Sequence, residues 1–204
     1  MRIGIFGGTF DPPHLAHLIL AAESHYQCRL DRLLWVLTPD PPHKPNHVIT
    51  PIETRLEMVQ ACIANAPEFE LSTVDIDRPP PHYAVDTVRL LQEAHPGDEI
   101  IYLMGSDSLL NLHTWYRPMD FIQACHEIAV THRSDEDIDL DALDARLPGL
   151  VEKLQFVISM VLEISSSEIR WRVSEGAPVK YYLHPAVYEI IKMRALYQTY
   201  ETGD

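Results

Sequence analysis

Near the amino terminus, Gly7-Gly8-Thr9-Phe10-Asp11-Pro12-Pro13-His14-Leu15-Ala16-His17 joins two glycines, a carboxylate and two imidazoles. The glycines let backbone amides approach a ligand closely, and a helix starting within the run adds free N–H groups and a partial positive charge. This is a cradle for an anion. His14 and His17 are three residues apart, so they share one face of the first helical turn, where imidazole N–H groups can donate to phosphate oxygens without a permanent charge. A zinc site is the competing reading of a His-x-x-His pair. Zinc needs a third and a fourth ligand, and none of the eleven histidines completes a recognised spacing. Neither the GxGxxG dinucleotide fingerprint nor the GxxxxGK[ST] phosphate loop occurs in the chain.

The elements that must position these groups follow from period and punctuation. Arg2–Phe6, Leu33–Leu37, Leu71–Ile76, Ile100–Met104, Ile128–Thr131 and Gln155–Ile158 are short apolar segments that suit buried strands. Between them, Leu15–Tyr26, Ile52–Ala64, Val85–Ala94 and Pro118–Cys125 read as helices, and Ile138–Leu154 as a weaker, acidic one. Thr50-Pro51-Ile52-Glu53 predicts a hydroxyl cap with proline at the first helical position. Ser165-Ser166-Ser167-Glu168 is a second capping box, opening a helix to about Ser174 with Gly176 as its stop, and a last helix is expected over Pro185–Tyr197. Strands alternating with helices predict an α/β fold, a mainly parallel sheet with helices on both faces and a helical portion at the end. Ligands then gather at the carboxyl ends of the strands. One domain over 1–204, with a helical subregion from about 165, is the expected organisation.

Composition narrows the partners. Sixteen Lys and Arg against thirty Asp and Glu give a formal charge of −14, which argues against nucleic acid or an anionic membrane as the main partner. An anionic ligand must therefore be held by local positive groups. Three cysteines, Cys28, Cys62 and Cys125, form no CxxC pair and suit free thiols in a reducing compartment. With neither a leader-like segment nor a run long enough to span a bilayer, a soluble, cytoplasmic protein is expected.

The Gly7–His17 run resembles the GGxFDPxHxGH form of the nucleotidylyltransferase superfamily's phosphate motif, with Ala16 where glycine is usual. Ile164-Ser165-Ser166-Ser167-Glu168-Ile169-Arg170 is similar to its second hallmark, Ile-Ser-Ser-Thr-x-Ile-Arg, with Ser167 for threonine. Within the superfamily the likeness is to the bacterial nicotinate mononucleotide adenylyltransferases, and it runs over nearly the whole chain. It implies a Rossmann-like, doubly wound fold. It also implies that His14, His17 and Arg170 act on the phosphates, and that Gly7, Gly8, Thr9, Phe10, Lys44, Gly105, Asp107, Ser165, Ser166 and Ser167 bind ATP. Lys44 belongs to Pro41-Pro42-His43-Lys44, which matches the family's basic loop, and Arg55 occupies the family's arginine position in the helix that follows. For the mononucleotide the resemblance implies Asp11, Tyr83, Ala84, Thr87, Trp115 and Arg133. Trp115 offers a flat face to a pyridinium ring. Ala84 stands where the family has threonine, and Arg133 precedes an unusually acidic stretch, Ser134–Asp144. Trp35 and Trp171 remain as packing residues.

The activity implied is transfer of the adenylyl group of ATP to nicotinate mononucleotide, giving nicotinate adenine dinucleotide and pyrophosphate, a step of NAD synthesis. Mg²⁺ is expected to travel with the triphosphate, with no dedicated metal cage in the protein. The alternatives are nicotinamide mononucleotide or another phosphorylated acceptor such as phosphopantetheine, a non-catalytic ATP or NAD sensor, and a His-rich metal-binding protein.

Overall fold

The computed structural model describes residues 1–39, 49–132, 138–160 and 162–199. Six strands, β1 (Arg2–Gly8), β2 (Arg32–Leu37), β3 (Phe69–Ser72), β4 (Glu99–Gly105), β5 (Glu127–His132) and β6 (Leu154–Ile158), form one parallel sheet in the order β3-β2-β1-β4-β5-β6. The helices are α1 (Leu15–Gln27), α2 (Ile52–Ile63), α3 (Ala84–Ala94), α4 (Ser106–Leu110), α5 (Pro118–Ala124), α6 (Leu140–Arg146), α7 (Ser166–Ser174) and α8 (Pro185–Met193).

Alternation along the strands produces two cores. Leu33, Trp35 and Leu37 of β2 point to the face covered by α1, α2, α7 and α8, where Met58, Val59, Ile169, Val187 and Ile191 are buried. Leu34 and Val36, together with Ile3 and Ile5 of β1, point to the other face, against Val88 of α3, Leu109 of α4, Phe121 of α5 and Leu143 of α6. Strands buried on both sides read as continuous apolar runs, which is how they were visible in the sequence. The strand order reverses direction at β1, so a crevice opens between the carboxyl ends of β1 and β4. Among the described residues, no helix is long and apolar enough to cross a membrane.

Several boundaries differ from expectation for local reasons. β3 lies at Phe69–Ser72 because Ile76 and Asp77 both donate backbone N–H groups to the Thr73 carbonyl and the Thr73 hydroxyl bonds Asp77 at 2.7 Å, a turn that ends the ladder. The helix expected over Ile138–Leu154 stops at Arg146, ahead of Pro148 and Gly149 at φ +82°, and β6 begins at Leu154. Asp144 Oδ1 accepts from the Gly149 and Val151 amides at that turn. α2 is capped by Pro51 and not by the Thr50 hydroxyl. α8 ends four residues short of Tyr197, and the chain then turns through Ala195 at φ +47° and Tyr197 at φ +61°. Trp35 is fully buried as expected, whereas Trp171 is 41% exposed, because it lies on the outer side of α7 while Ile169 fills the core.

Candidate active site

The segment from Thr9 to His14 carries the chain from the end of β1 to the start of α1. Gly8 is required sterically: a Cβ there would come within 2.9–3.1 Å of the Phe10 ring, which folds back over it. Phe10 has φ +48°, is 2% exposed and packs against Phe6, Trp35 and His17. Its ring therefore shapes the wall of the crevice from within the core. Gly7, one residue earlier, is exposed at the mouth of the sheet.

His14 is the N-cap of α1, and its backbone N–H donates to His17 Nδ1 at 3.2 Å. This bond decides a tautomer. A neutral His17 that accepts at Nδ1 must carry its proton on Nε2, where it can donate to a ligand. The two rings stack with centroids 3.6 Å apart, and His14 Nδ1 is buried without a partner among the described residues. Burial pushes His14 down to about 4 and holds His17 well below the usual imidazole value, with His14 adding to the effect. The pair is neutral near pH 7 before a ligand arrives.

The opposite wall is the start of α7. The Ser165 hydroxyl caps the helix by accepting from the Glu168 N–H at 3.1 Å, as the capping box predicts. Ser166 Oγ donates to the Pro12 carbonyl at 2.9 Å, and Arg170 donates from Nη1 to the Asp11 carbonyl at 2.7 Å and from Nη2 to Ser167 Oγ at 3.3 Å. The two chemical stretches, more than 150 residues apart in sequence, are thus stitched together. Thr9, Phe10, Asp11, His14, His17, Gly105, Asp107, Ser165, Ser166, Ser167 and Arg170 line one cavity of about 600 Å³, joined by Ile49 and Ile164. Gly105 ends β4 and Asp107 sits in the first turn of α4, its carboxylate exposed and without a partner among the described residues.

Asp11 is 4% exposed, and both of its carboxylate oxygens are engaged: Oδ2 accepts from the Thr50 N–H at 3.1 Å and Oδ1 from the Tyr197 hydroxyl at 2.6 Å. Arg55, 2% exposed, spreads its guanidinium over the carbonyls of Thr9, Thr38, Pro39 and Thr50 at 2.9–3.0 Å. It ties the loops after β1 and β2 to α2, a structural use of a residue that the resemblance marks.

The remaining expected residues lie along the β4 side. Tyr83 stacks on Tyr116 with centroids 4.1 Å apart, and half-buried Trp115 packs against Phe121 at 5.3 Å and Tyr102 at 6.1 Å. Ala84 opens α3, and its N–H and that of Val85 have no acceptor among the described residues, as the first amides of a helix generally lack one. Thr87 points inward: its hydroxyl donates to Asp75 Oδ1 at 2.7 Å, and Arg78 joins both. Lys44 and Arg133 lie outside the described residues. Sequence reasoning missed Tyr116, Tyr197 and the Asp75–Arg78 pair; for Tyr197 no local signal existed, since its partner is 186 residues away.

Comparison with known proteins identifies the family and the fold. Residues 5–172 match the cytidylyltransferase-like family. A relative from Thermomicrobium roseum, named as a probable nicotinate-nucleotide adenylyltransferase, is 40% identical over 98% of this chain and 93% of its own. One of the same name from Pelobacter propionicus is 36% identical over 97% and 98%. The fold is shared with Plasmodium falciparum nicotinic acid mononucleotide adenylyltransferase complexed with NaAD, at a TM-score of 0.77 and 21% identity over 97% of each chain. By full-length relatives at 36% and 40% identity and a family match that spans most of its length, the chain belongs to the nicotinate-nucleotide adenylyltransferases of the cytidylyltransferase-like family.

Proposed function

We propose that the protein transfers the adenylyl group of ATP to nicotinate mononucleotide, releasing pyrophosphate and forming nicotinate adenine dinucleotide for NAD synthesis in the cytoplasm. One observation carries the reading: His14, His17, the start of α7 and Arg170 open onto a single cavity at the switch point of the sheet. The mononucleotide's 5′-phosphate is already ionised, so it attacks the α-phosphorus in line without a general base. Catalysis is alignment and charge neutralisation.

In this reading, His17 donates from Nε2 to an α-phosphate oxygen and His14 supports the neighbouring one. The free amides of Ser166 and Ser167 and the guanidinium of Arg170, oriented by Asp11 and Ser167, take the β- and γ-phosphates. Lys44 adds a cation from the loop between β2 and α2. Asp107 accepts from a ribose hydroxyl. The backbone of Gly7, Gly8, Thr9 and Phe10 lies under the phosphates, and Gly105 allows the nucleotide sugar to approach.

The cavity's side chains are mostly imidazole, guanidinium and hydroxyl, and both Asp11 oxygens are engaged, so this donor set suits Mg²⁺ that arrives on phosphate oxygens and water. When bound, the ion supplies further charge neutralisation on the triphosphate.

For the acceptor, Trp115, Tyr83 and the Tyr116 ring supply aromatic surface for the pyridine, and Arg133 is the cation that the family likeness assigns to the mononucleotide. Thr87 acts at one remove, through Asp75 and Arg78. The amides at Ala84 and Val85 suit a carboxylate better than a neutral amide, because a helix start favours negative charge. Ala84 itself favours a second reading, nicotinamide mononucleotide, since a threonine hydroxyl is absent there. Pyrophosphate release with ATP, Mg²⁺ and each mononucleotide tests both, and faster turnover is expected with the acid. Faster turnover with the amide replaces the acceptor, and ATP affinity without pyrophosphate from either acceptor points to a sensor.

A further inference from the structure

The last turn of the chain reaches back into the loop that cradles the phosphates. After α8, Ala195 and Leu196 donate backbone N–H groups to the carbonyls of Lys192 and Ile191, and the left-handed residues Ala195 and Tyr197 reverse the chain. Leu196 and Tyr197 pack on the core beneath α1 and α2. Arg194 pins the same turn to α2 from outside, bonding Glu57 at 2.6 Å and Thr54 Oγ1 at 3.4 Å. From this platform the Tyr197 hydroxyl donates to Asp11 Oδ1 at 2.6 Å.

Asp11 is the junction of the site. Its carbonyl receives Arg170, its second carboxylate oxygen receives the Thr50 N–H just ahead of α2, and the adjoining Pro12 carbonyl receives Ser166. Three segments, the Thr9–His14 loop, the start of α7 and the approach to α2, therefore meet around one buried residue. A carboxylate in such a place keeps its orientation only while both oxygens have donors, because a buried unpaired oxygen costs about 1–3 kcal/mol. Burial and the Asp11 charge hold the Tyr197 phenol above its usual range, so the proton stays on tyrosine and the hydroxyl remains the donor.

We propose that Tyr197 is a positioning residue for adenylyl transfer: its hydroxyl fixes the Asp11 carboxylate and, through Asp11, the mutual placement of the Thr9–His14 loop, Arg170 and the start of α2. The proposal rests on the activity proposed above. It makes the carboxyl-terminal turn part of the active-site scaffold, although Tyr197 touches neither substrate.

The test is Tyr197→Phe, which keeps the ring and removes only the hydroxyl, read beside Lys192→Ala, which removes an exposed ion pair with Glu189 on α8 and leaves the turn's hydrogen bonds in place. Tyr197→Phe is expected to lower kcat about tenfold, with KM for both substrates within about twofold, the pattern of misaligned and not weakened binding. Lys192→Ala is expected to keep the wild-type kcat. In an Asp11→Ala background, Tyr197→Phe should cost nothing more. Amide hydrogen exchange over residues 9–14 supplies a readout independent of turnover, and is expected to be about tenfold faster in Tyr197→Phe.

Wild-type kcat in Tyr197→Phe overturns the proposal, as does the same tenfold loss repeated in the Asp11→Ala background. If the Asp11 variant does not fold, the single substitution decides. A wild-type protein inactive with both acceptors brings down the functional reading instead, and unchanged exchange over residues 9–14 in Tyr197→Phe would still overturn the positioning role of Tyr197.

Discussion

The two ends of the sheet each hold a hollow of similar size, and they differ in what the polar groups around them are doing. At the amino ends of the strands, Arg2, Gln27, Cys28, Glu127, Lys153 and Gln155 help to line about 520 Å³. There, Arg2 bonds the Cys28 carbonyl, Glu99 and Glu127, Lys153 bonds the Gln123 and Cys125 carbonyls, and Gln27 and Gln155 bond backbone. At the carboxyl ends, in about 600 Å³, His14 Nδ1, His17 Nε2 and the Asp107 carboxylate have no partners among the described residues, and the first amides of α7 point the same way. Volume does not distinguish the two. Polar groups held in place but left unspent do, since these can exchange water for a ligand without breaking the fold.

Removing one such donor is the sharpest way to test that contrast. His17→Ala is expected to lower kcat roughly 10²–10³-fold while mononucleotide affinity changes far less, because a hydrogen bond that strengthens with developing phosphate charge acts mainly in the transition state. Equal losses in turnover and affinity, measured by steady-state kinetics and calorimetry, would make His17 a binding group only. Arg170→Ala comes next: KM for ATP is expected to rise about tenfold with a smaller fall in kcat, since the guanidinium meets phosphates in both ground and transition states. An unchanged KM for ATP would remove Arg170 from the triphosphate.

Legibility followed distance along the chain. The Gly7–His17 run, the Ser165 cap and five of the six strands are short-range patterns, and each lies close to where period, caps and turn residues put it. The ends of β3 and of the acidic helix were misplaced because Thr73 and the Pro148-Gly149 pair stop those elements with bonds that hydrophobic period does not report. The roles of Arg55, Thr87 and Tyr197 were hidden for a different reason. Each is set by partners brought near by the topology: four carbonyls around Arg55, Asp75 beneath Thr87, and Asp11 beside Tyr197. Sequence likeness marked Thr87 as a substrate contact, and it could not report that the hydroxyl also bonds Asp75 and Arg78.

The unspent imidazoles also leave a signature in pH. His14 titrates near 4 when folded and near about 6.5 when unfolded, so the unfolded chain binds more protons between those values. Stability from this group is therefore constant above about 6.5, falls as pH drops toward 4, and levels off below it. His14→Gln removes that dependence. The difference in unfolding midpoint between variant and wild type should shift in the variant's favour as pH is lowered from 7 to 5, and a parallel shift in both proteins would mean that the folded imidazole is as basic as the unfolded one.

The smallest effect belongs to the opposite end of the sheet. Arg2→Met keeps the aliphatic stem and removes a guanidinium that is about a quarter exposed, leaving Glu99 and Glu127 on adjacent strands without their shared cation. Partial exposure screens the loss, so destabilisation of roughly 1 kcal/mol is expected by denaturant titration. Turnover and both KM values should match the wild type, because the sheet separates this hollow from the candidate active site and the side chains of Arg2, Gln27, Lys153 and Gln155 that line it are spent on the fold. A change in KM for either substrate would show that the two ends of the strands are coupled, and that the amino-terminal hollow takes part in binding after all.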